Sequence, residues 1–338
     1  MTASGQPAAR AKEESIVTEV FNTLDGQREL HKFYMRELAA PEQCRQAPAD
    51  PRELAGVFAA EQAWDRHEQA RVPPEMLPAR AADFSGWYHD LKKTHHRNDR
   101  RFFDFLAEDA SLEQLAFYIS LEEQVDGRFD DIIALAQLGL NGDAKLALAE
   151  NFWDEMGRGV LDDMHTVMFG KSSQYLRGLL KRSRLAPERD IPVEAYKNGN
   201  ILLMYALRRR HALRLLGALT ILEHSAPFRF ERTVRGLRRV GAPSHVVDYH
   251  AVHIIVDAKH GDDLFHRVLL PLVREFPDTA ADIALGAAIR YHIAADYYRS
   301  IETLIARQVP KTRNAHGQGR RAAAPPAGRP DPTSSVIL

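Results

Sequence analysis

Cysteine is almost missing from this 338-residue chain: Cys44 stands alone. That excludes an internal disulfide and any zinc or iron–sulfur site built on several thiolates, and it fits a reducing compartment. Long apolar runs are missing too. No stretch approaches the roughly 20 residues of a membrane span, and the opening MTASGQPAARAKEES lacks the apolar core of a signal peptide. Charge of one sign is not in excess: Lys+Arg of 45 against Asp+Glu of 46 gives a formal net charge of -1. No global basic field favours nucleic acid. Period-two alternation of β-branched residues is scarce, and no internal repeat is found. These absences point to a cytoplasmic protein with neither a nucleic-acid nor a membrane partner.

What is present is helical patterning, rich in Leu, Ala, Arg and Glu, with 45% hydrophobic residues to build a core. The pattern predicts helices near 13–38, 51–70, 82–107, 111–138, 142–157, 160–169, 173–183, 192–224, 228–239, 243–275 and 278–308. Ser111 with Gln114 three residues on is a capping-box signature. Gly170 reads as a helix end, Pro192, Pro227 and Pro243 as markers of helix starts, and Gly261 as a kink or division. Residues 1–12 read as a frayed arm, and the Pro/Gly/Ala/Arg-rich stretch 311–338 as a disordered tail. The expected fold is all-α: a bundle of about seven core helices over 81–310, with a helical extension over 1–80 that offers surface for homodimerisation.

One run carries most of the chemistry: His253-Ile254-Ile255-Val256-Asp257-Ala258-Lys259-His260. On a helix, steps of four and seven bring His253, Asp257 and His260 into an arc of roughly 60°. Two imidazoles and a carboxylate on one stripe form a ligand set for iron or another first-row metal. The intervening Ile254, Ile255 and Val256 suggest that part of this helix faces a dry core, where unmatched polar groups are costly.

Three other segments offer further ligands. Glu155 sits among Phe152, Trp153 and Met156, with His165 ten residues on. That step turns about 80° off a straight helix face, so a bend at Gly157 and Gly159 or a new helix is needed to join them. Glu223 closes the apolar run 213–222, and its structural alternative is a helix-end carboxylate paired with Arg229 or Arg232. Glu122, Glu123, Asp126 and Asp130 form a charged stretch that reads as a solvated face or as the source of one extra carboxylate. His67, His95 and His96 read as solvated, and so do the basic runs 208–211 and 235–239. His292, Asp296 and Arg299 repeat the spacing of the main triplet, but arginine does not ligate metal.

The segments NFWDEMGRG, LTILEHSAP and HIIVDAKH, in this order on an all-α chain, resemble the haem-oxygenase-like diiron oxidases, the iron-containing redox enzyme family. The likeness covers roughly residues 85–308. It implies a seven-helix haem-oxygenase-like bundle that binds two iron ions in place of haem. It also implies that Glu155, His165, Glu223, His253, Asp257 and His260 are the ligands. An additional carboxylate, found in some members, would come from Glu122, Glu123, Asp126 or Asp130. The implied activity is that of an oxidase or oxygenase with O2 as co-substrate and a small organic molecule as substrate, through N-oxygenation, desaturation, C–C cleavage or self-sacrificing chemistry.

Three other readings compete. Asp162-x2-His165 and Asp257-x2-His260 imitate the paired carboxylate-x2-His motifs of ferritin-like diiron bundles, which normally carry Glu. A metal-free helical binding or scaffold protein would use the arginine runs as a partner patch. Haem oxygenase itself would need a single histidine and leave the carboxylates unexplained.

Overall fold

A computed structural model describes residues 20–43 and 50–308. The frayed arm, the tail, the start of the first expected helix and Cys44 lie outside the described residues. No strand occurs among the described residues, and no helix there is long and apolar enough to cross a membrane.

Side-chain caps fix three of the helix starts, those of the first, second and fourth helices. Helix α1 (Leu24–Glu37) is capped by the Thr23 hydroxyl, which accepts from the Gly26 amide. Helix α2 (Pro51–Ala70) begins with Asp50 as cap and Pro51 in the first turn, where a missing N–H costs nothing. Helix α3 (Phe84–Glu108) follows. Helix α4 (Leu112–Asp126) opens with the expected capping box of Ser111 and Gln114. Then come α5 (Phe129–Ala136), α6 (Gly142–Glu155), α7 (His165–Leu180), α8 (Val193–Leu207), α9 (Ala212–Arg239) and α10 (Ser244–Asp263). A π-helical segment (Leu264–Leu269) carries α10 into α11 (Leu270–Glu275), and α12 (Ala280–Gln308) closes the described chain.

Helix α9 is the axis of the bundle, packed against α3, α10 and α12. Its buried stripe runs through Leu215, Leu219, Leu222, Ala226, Phe230, Val234 and Leu237, at the three- and four-residue steps a core-facing helix needs. Helix α7 packs on α4 and α10, and α8 packs on α1. The N-terminal helices are also tied down by polar pairs: Arg208 with the fully buried Glu61 at 2.9 Å, Arg214 with Asp65 at 2.6 Å, and the Asn200 amide with the Gln27 side chain at 2.9 Å. Arg208 is therefore drawn inward rather than solvated.

Four expected boundaries move. The long helix expected over 192–224 breaks instead at 208–211, where Arg208 turns extended to reach Glu61. Pro227 does not start a helix; it lies inside α9, whose continuous apolar stripe outweighs one lost backbone hydrogen bond. Gly170 does not end α7, which runs through it to Leu180. In the stretch 111–138, the chain divides at Gly127–Arg128 into α4 and α5.

Candidate metal centre

Four helices bring the six residues together. Glu155 is the last residue of α6. Gly157, Arg158 and Gly159 then take left-handed backbone angles (φ 58°, 51° and 88°), and His165 opens α7. A Cβ on Gly157 would lie 2.5 Å from the Asp163 carbonyl carbon, so this tight reversal requires glycine. The ten-residue gap is closed by a reversal into a new helix.

Helix α10 presents His253, Asp257 and His260 on its buried face, while Ile255 is 78% exposed. The apolar residues between the triplet do not mark the inward side; the polar stripe does. Gly261 neither kinks nor divides α10. A Cβ there would meet the His224 ring at 2.5 Å and the His224 backbone nitrogen at 3.0 Å. Its bareness lets α10 lie close against α9, beside Glu223. Glu223 itself sits in the middle of α9, not at a helix end. Its side chain accepts from Asn151 at 3.0 Å, whereas Arg229 and Arg232 pair with Glu122 and Asp104.

The six residues form two clusters: Glu155, His165 and His253; and Glu223, Asp257 and His260. Within each cluster, ligand-capable atoms lie within 4.8 Å of one another, and all six residues are 1–5% exposed. His165 Nδ1 lies 2.9 Å from Glu155 Oε2, yet the pair lacks hydrogen-bond geometry, and Glu155 Oε1 has no partner at all. His260 Nδ1 is also unpartnered and faces Glu223 Oε2 at 3.8 Å. Buried polar atoms left this way are costly unless something satisfies them. Converging carboxylate oxygens and imidazole nitrogens are what a divalent cation satisfies.

Two histidines have their tautomers set from behind. His253 Nδ1 donates to the Tyr249 carbonyl at 2.5 Å, which leaves the Nε2 lone pair free. His260 Nε2 donates to Asp154 Oδ2 at 3.0 Å, which leaves Nδ1 facing Glu223. Asp154 is held in turn by Arg158 at 2.6 Å.

Burial, reinforced by Glu155, pushes the Glu223 carboxyl up to about 8. Burial and the neighbouring Glu223 hold Asp257 well above the usual range. Burial, with His165 nearby, pulls His253 well down. At His165 burial also pulls down, but Glu155 outweighs it and the net shift is upward. Burial thus favours the neutral forms of Glu223, Asp257 and His253, while the crowded carboxylates favour the charged form of His165.

Of the four extra carboxylates, only Asp126 lines the small cavity of about 20 Å³ between the clusters, together with Arg229, Phe230 and Tyr249. Burial and Glu122 push Asp126 up to about 7. Glu122 is turned to Tyr297 (2.6 Å) and Arg229 (3.3 Å). Glu123 pairs with Arg177 at the surface. Asp130 accepts from the Asp131 amide at 3.0 Å and is raised chiefly by burial. Asp162 has a side chain 83% exposed and paired with Lys171 at 2.8 Å, so the ferritin-like carboxylate-x2-His pair does not form. Asp296 binds Arg71 at 2.7 Å and also Arg299, leaving His292 without a ligand set. His95 is not solvated: it is buried 3.1 Å from Asp99. Sequence reasoning passed over Asp154 and Asn151, whose roles depend on the approach of α6 to α10 and α9.

Comparison with known proteins gives one family: the profile described as iron-containing redox enzyme matches residues 117–295. No curated protein matches. Among solved structures, a CADD-like protein of unknown function from Nostoc punctiforme PCC 73102 is 16% identical, with a TM-score of 0.46. The match covers 66% of this chain and 97% of that one.

Proposed function

The chain belongs to the iron-containing redox enzyme family, and from that premise we propose that it is a non-haem diiron oxidoreductase that uses O2 to oxidise a small organic molecule. The observation that carries this reading is the meeting of two buried three-residue donor clusters at one small cavity, which five of the six residues line. Glu155, His165 and His253 would hold one iron, and Glu223, Asp257 and His260 the other. Three ionised carboxylates against two Fe(II) leave one net positive charge, modest for a buried site, and an ionised Asp126 would neutralise it.

Iron held by these residues would supply the electrons for O2 reduction. The protein's part is geometric and electrostatic. Asp154 and the Tyr249 carbonyl fix which nitrogen of His260 and His253 is free to bind. Asn151 orients Glu223. Leu222, Phe129 and Phe230 give the cavity apolar walls, and Arg229 is the arginine that lines a cavity otherwise rich in carboxylates. We take residues 81–310 as the catalytic domain, with the helices of 1–80 as an added layer.

The test is iron stoichiometry after anaerobic Fe(II) loading, followed by rapid mixing with O2 under visible-light detection. About two irons per chain and a transient absorbance, both lost in His253→Ala and Glu223→Ala, are expected. No specific iron, or binding indifferent to both substitutions, would leave a metal-free helical scaffold as the better account.

A further inference from the structure

A second cavity, about 540 Å³, lies between α3 and α12. Its volume falls in the range of small-molecule sites. It shares no lining residue with the metal cavity. Phe102, Tyr291 and Tyr298 give it aromatic walls, with the Phe102 and Tyr298 rings stacked at 5.6 Å. The exposed Arg101 and Arg299 also line it, so it opens to solvent.

Asp99 stands in this cavity without a partner. It lines the cavity, is 6% exposed, and accepts no hydrogen bond among the described residues. His95 Nε2 lies 3.1 Å away but without hydrogen-bond geometry, and both ring nitrogens of His95 lack a partner. Burial pulls His95 well down, so the ring is neutral and brings no countercharge. Three arginines act on Asp99 through space, and each is engaged elsewhere: Arg229 with Glu122, Arg290 with Asn198, and Arg299 with Asp296. Burial outweighs them and pushes the Asp99 carboxyl up to about 7. A buried carboxylate without a donor is costly. Its oxygens are not sealed off as the His95 nitrogens are, so a molecule in the cavity can reach them.

The surrounding charges select the sign of the ligand. The lining arginines are already matched: Arg71 by Glu68 and Asp296, Arg101 by Glu302 at 3.0 Å, and Arg299 by Asp296. An anion would have to displace those carboxylates. His292, which also lines the cavity, is lowered by burial and neutral at pH 7. Asp99 is thus the lining charge left without a counterpart among the described residues. An ammonium group supplies both the missing donors and the missing charge, and aromatic faces add to its binding.

We propose that the cavity between α3 and α12 binds a small organic amine, with the ammonium on Asp99 and the carbon skeleton against Phe102, Tyr291 and Tyr298. This site is separate from the metal centre and does not rest on the diiron reading.

The test is calorimetric titration of the full chain with 2-phenylethylamine, 2-phenylethanol and 3-phenylpropanoate, which share one skeleton and differ in the polar end. The amine is expected to bind at one site, at least tenfold tighter than either other probe. Asp99→Asn should remove that preference with the melting temperature maintained. Ala295→Phe, which fills the cavity from α12, should weaken the amine at least tenfold, and it decides the matter alone if Asp99→Asn does not fold. His253→Ala should leave amine binding unchanged. Equal binding of the three probes, or a preference for the carboxylate, overturns the ammonium site. Amine binding indifferent to both Asp99→Asn and Ala295→Phe overturns the cavity. Loss of amine binding in His253→Ala would move the amine to the metal centre and overturn the separate site. Failure to load iron with the amine still bound would sink the functional reading alone.

Discussion

Asp154 and His260 are joined at 3.0 Å across the α6–α10 interface, while the very next residue, Glu155, faces His165 at 2.9 Å. Adjacent carboxylates on one helix end therefore face different clusters: Glu155 would bind metal, and Asp154 fixes the tautomer of His260 in the opposite cluster. Asp154→Asn keeps the shape of the side chain but removes its charge. Because partners behind a ligand typically contribute 10–100-fold in metal affinity, the variant is expected to weaken metal binding by about that factor. Competition titration with a chelator measures it; unchanged affinity would remove Asp154 from the site.

The metal-free protein should lose stability as pH rises from 6.5 to 8. The folded-state carboxyl of Glu223 is raised from 4.5 to about 8, so it stays protonated where the unfolded chain is already ionised. A raised group contributes stability that is lost as pH climbs towards its folded value. His165, also raised, acts in the same direction above 6.5. The lowered His253 acts oppositely, but only below 6.5. Asp257 and Asp126, both raised, act in the same direction as Glu223, so a loss of at least about 1–2 kcal/mol across this window follows. Bound metal reverses the trend, since it takes the deprotonated ligands. Urea melts at pH 6.5, 7.2 and 8, with chelator and with Zn(II), check both signs.

Pro227 stands four residues after Glu223 and deprives the Glu223 carbonyl of its helical donor. Pro227→Ala restores that hydrogen bond. The expected result is a stability gain of about 1–3 kcal/mol together with weaker metal binding, as the Glu223 turn tightens. Denaturation and chelator competition on the same sample read the two effects, and a gain in both would refute the coupling.

Gly261→Ala pushes a methyl group into the His224 ring and backbone. Separation of α9 and α10 should cost about 1–3 kcal/mol and loosen the cluster that joins Glu223 to His260. A melting temperature equal to wild type would show that the contact relaxes freely.

Asp162→Ala, at an exposed position, should leave metal content unchanged, whereas Glu155→Gln should abolish binding at the Glu155, His165 and His253 cluster. Elemental analysis of both variants decides; the reverse ranking would restore the ferritin-like arrangement.

Much of the fold was legible because its causes are local. The Ser111–Gln114 capping box and the apolar periodicity of α9 are written in neighbouring residues. The errors fell where distant contacts override local preference. Pro227 looked like a boundary, but the buried stripe on both sides of it holds one helix. Arg208 looked solvated until α2 supplied a buried Glu61. Ile255 looked like core, although its helix buries the polar face instead.

The sequence alone offered the candidate metal-binding side chains and, through helical spacing, determined that His253, Asp257 and His260 share a face. It could not determine how they sort. Only the packing of α6, α7, α9 and α10 assigns His253 to Glu155 and His165, and its two helix-mates to Glu223. Only that packing sets Asp154 behind His260. The physical reason is range: helix periodicity acts over a turn or two, whereas ligand geometry depends on how closely two helices approach. That approach is set by residues such as Gly157 and Gly261, whose contribution is the side chain they lack.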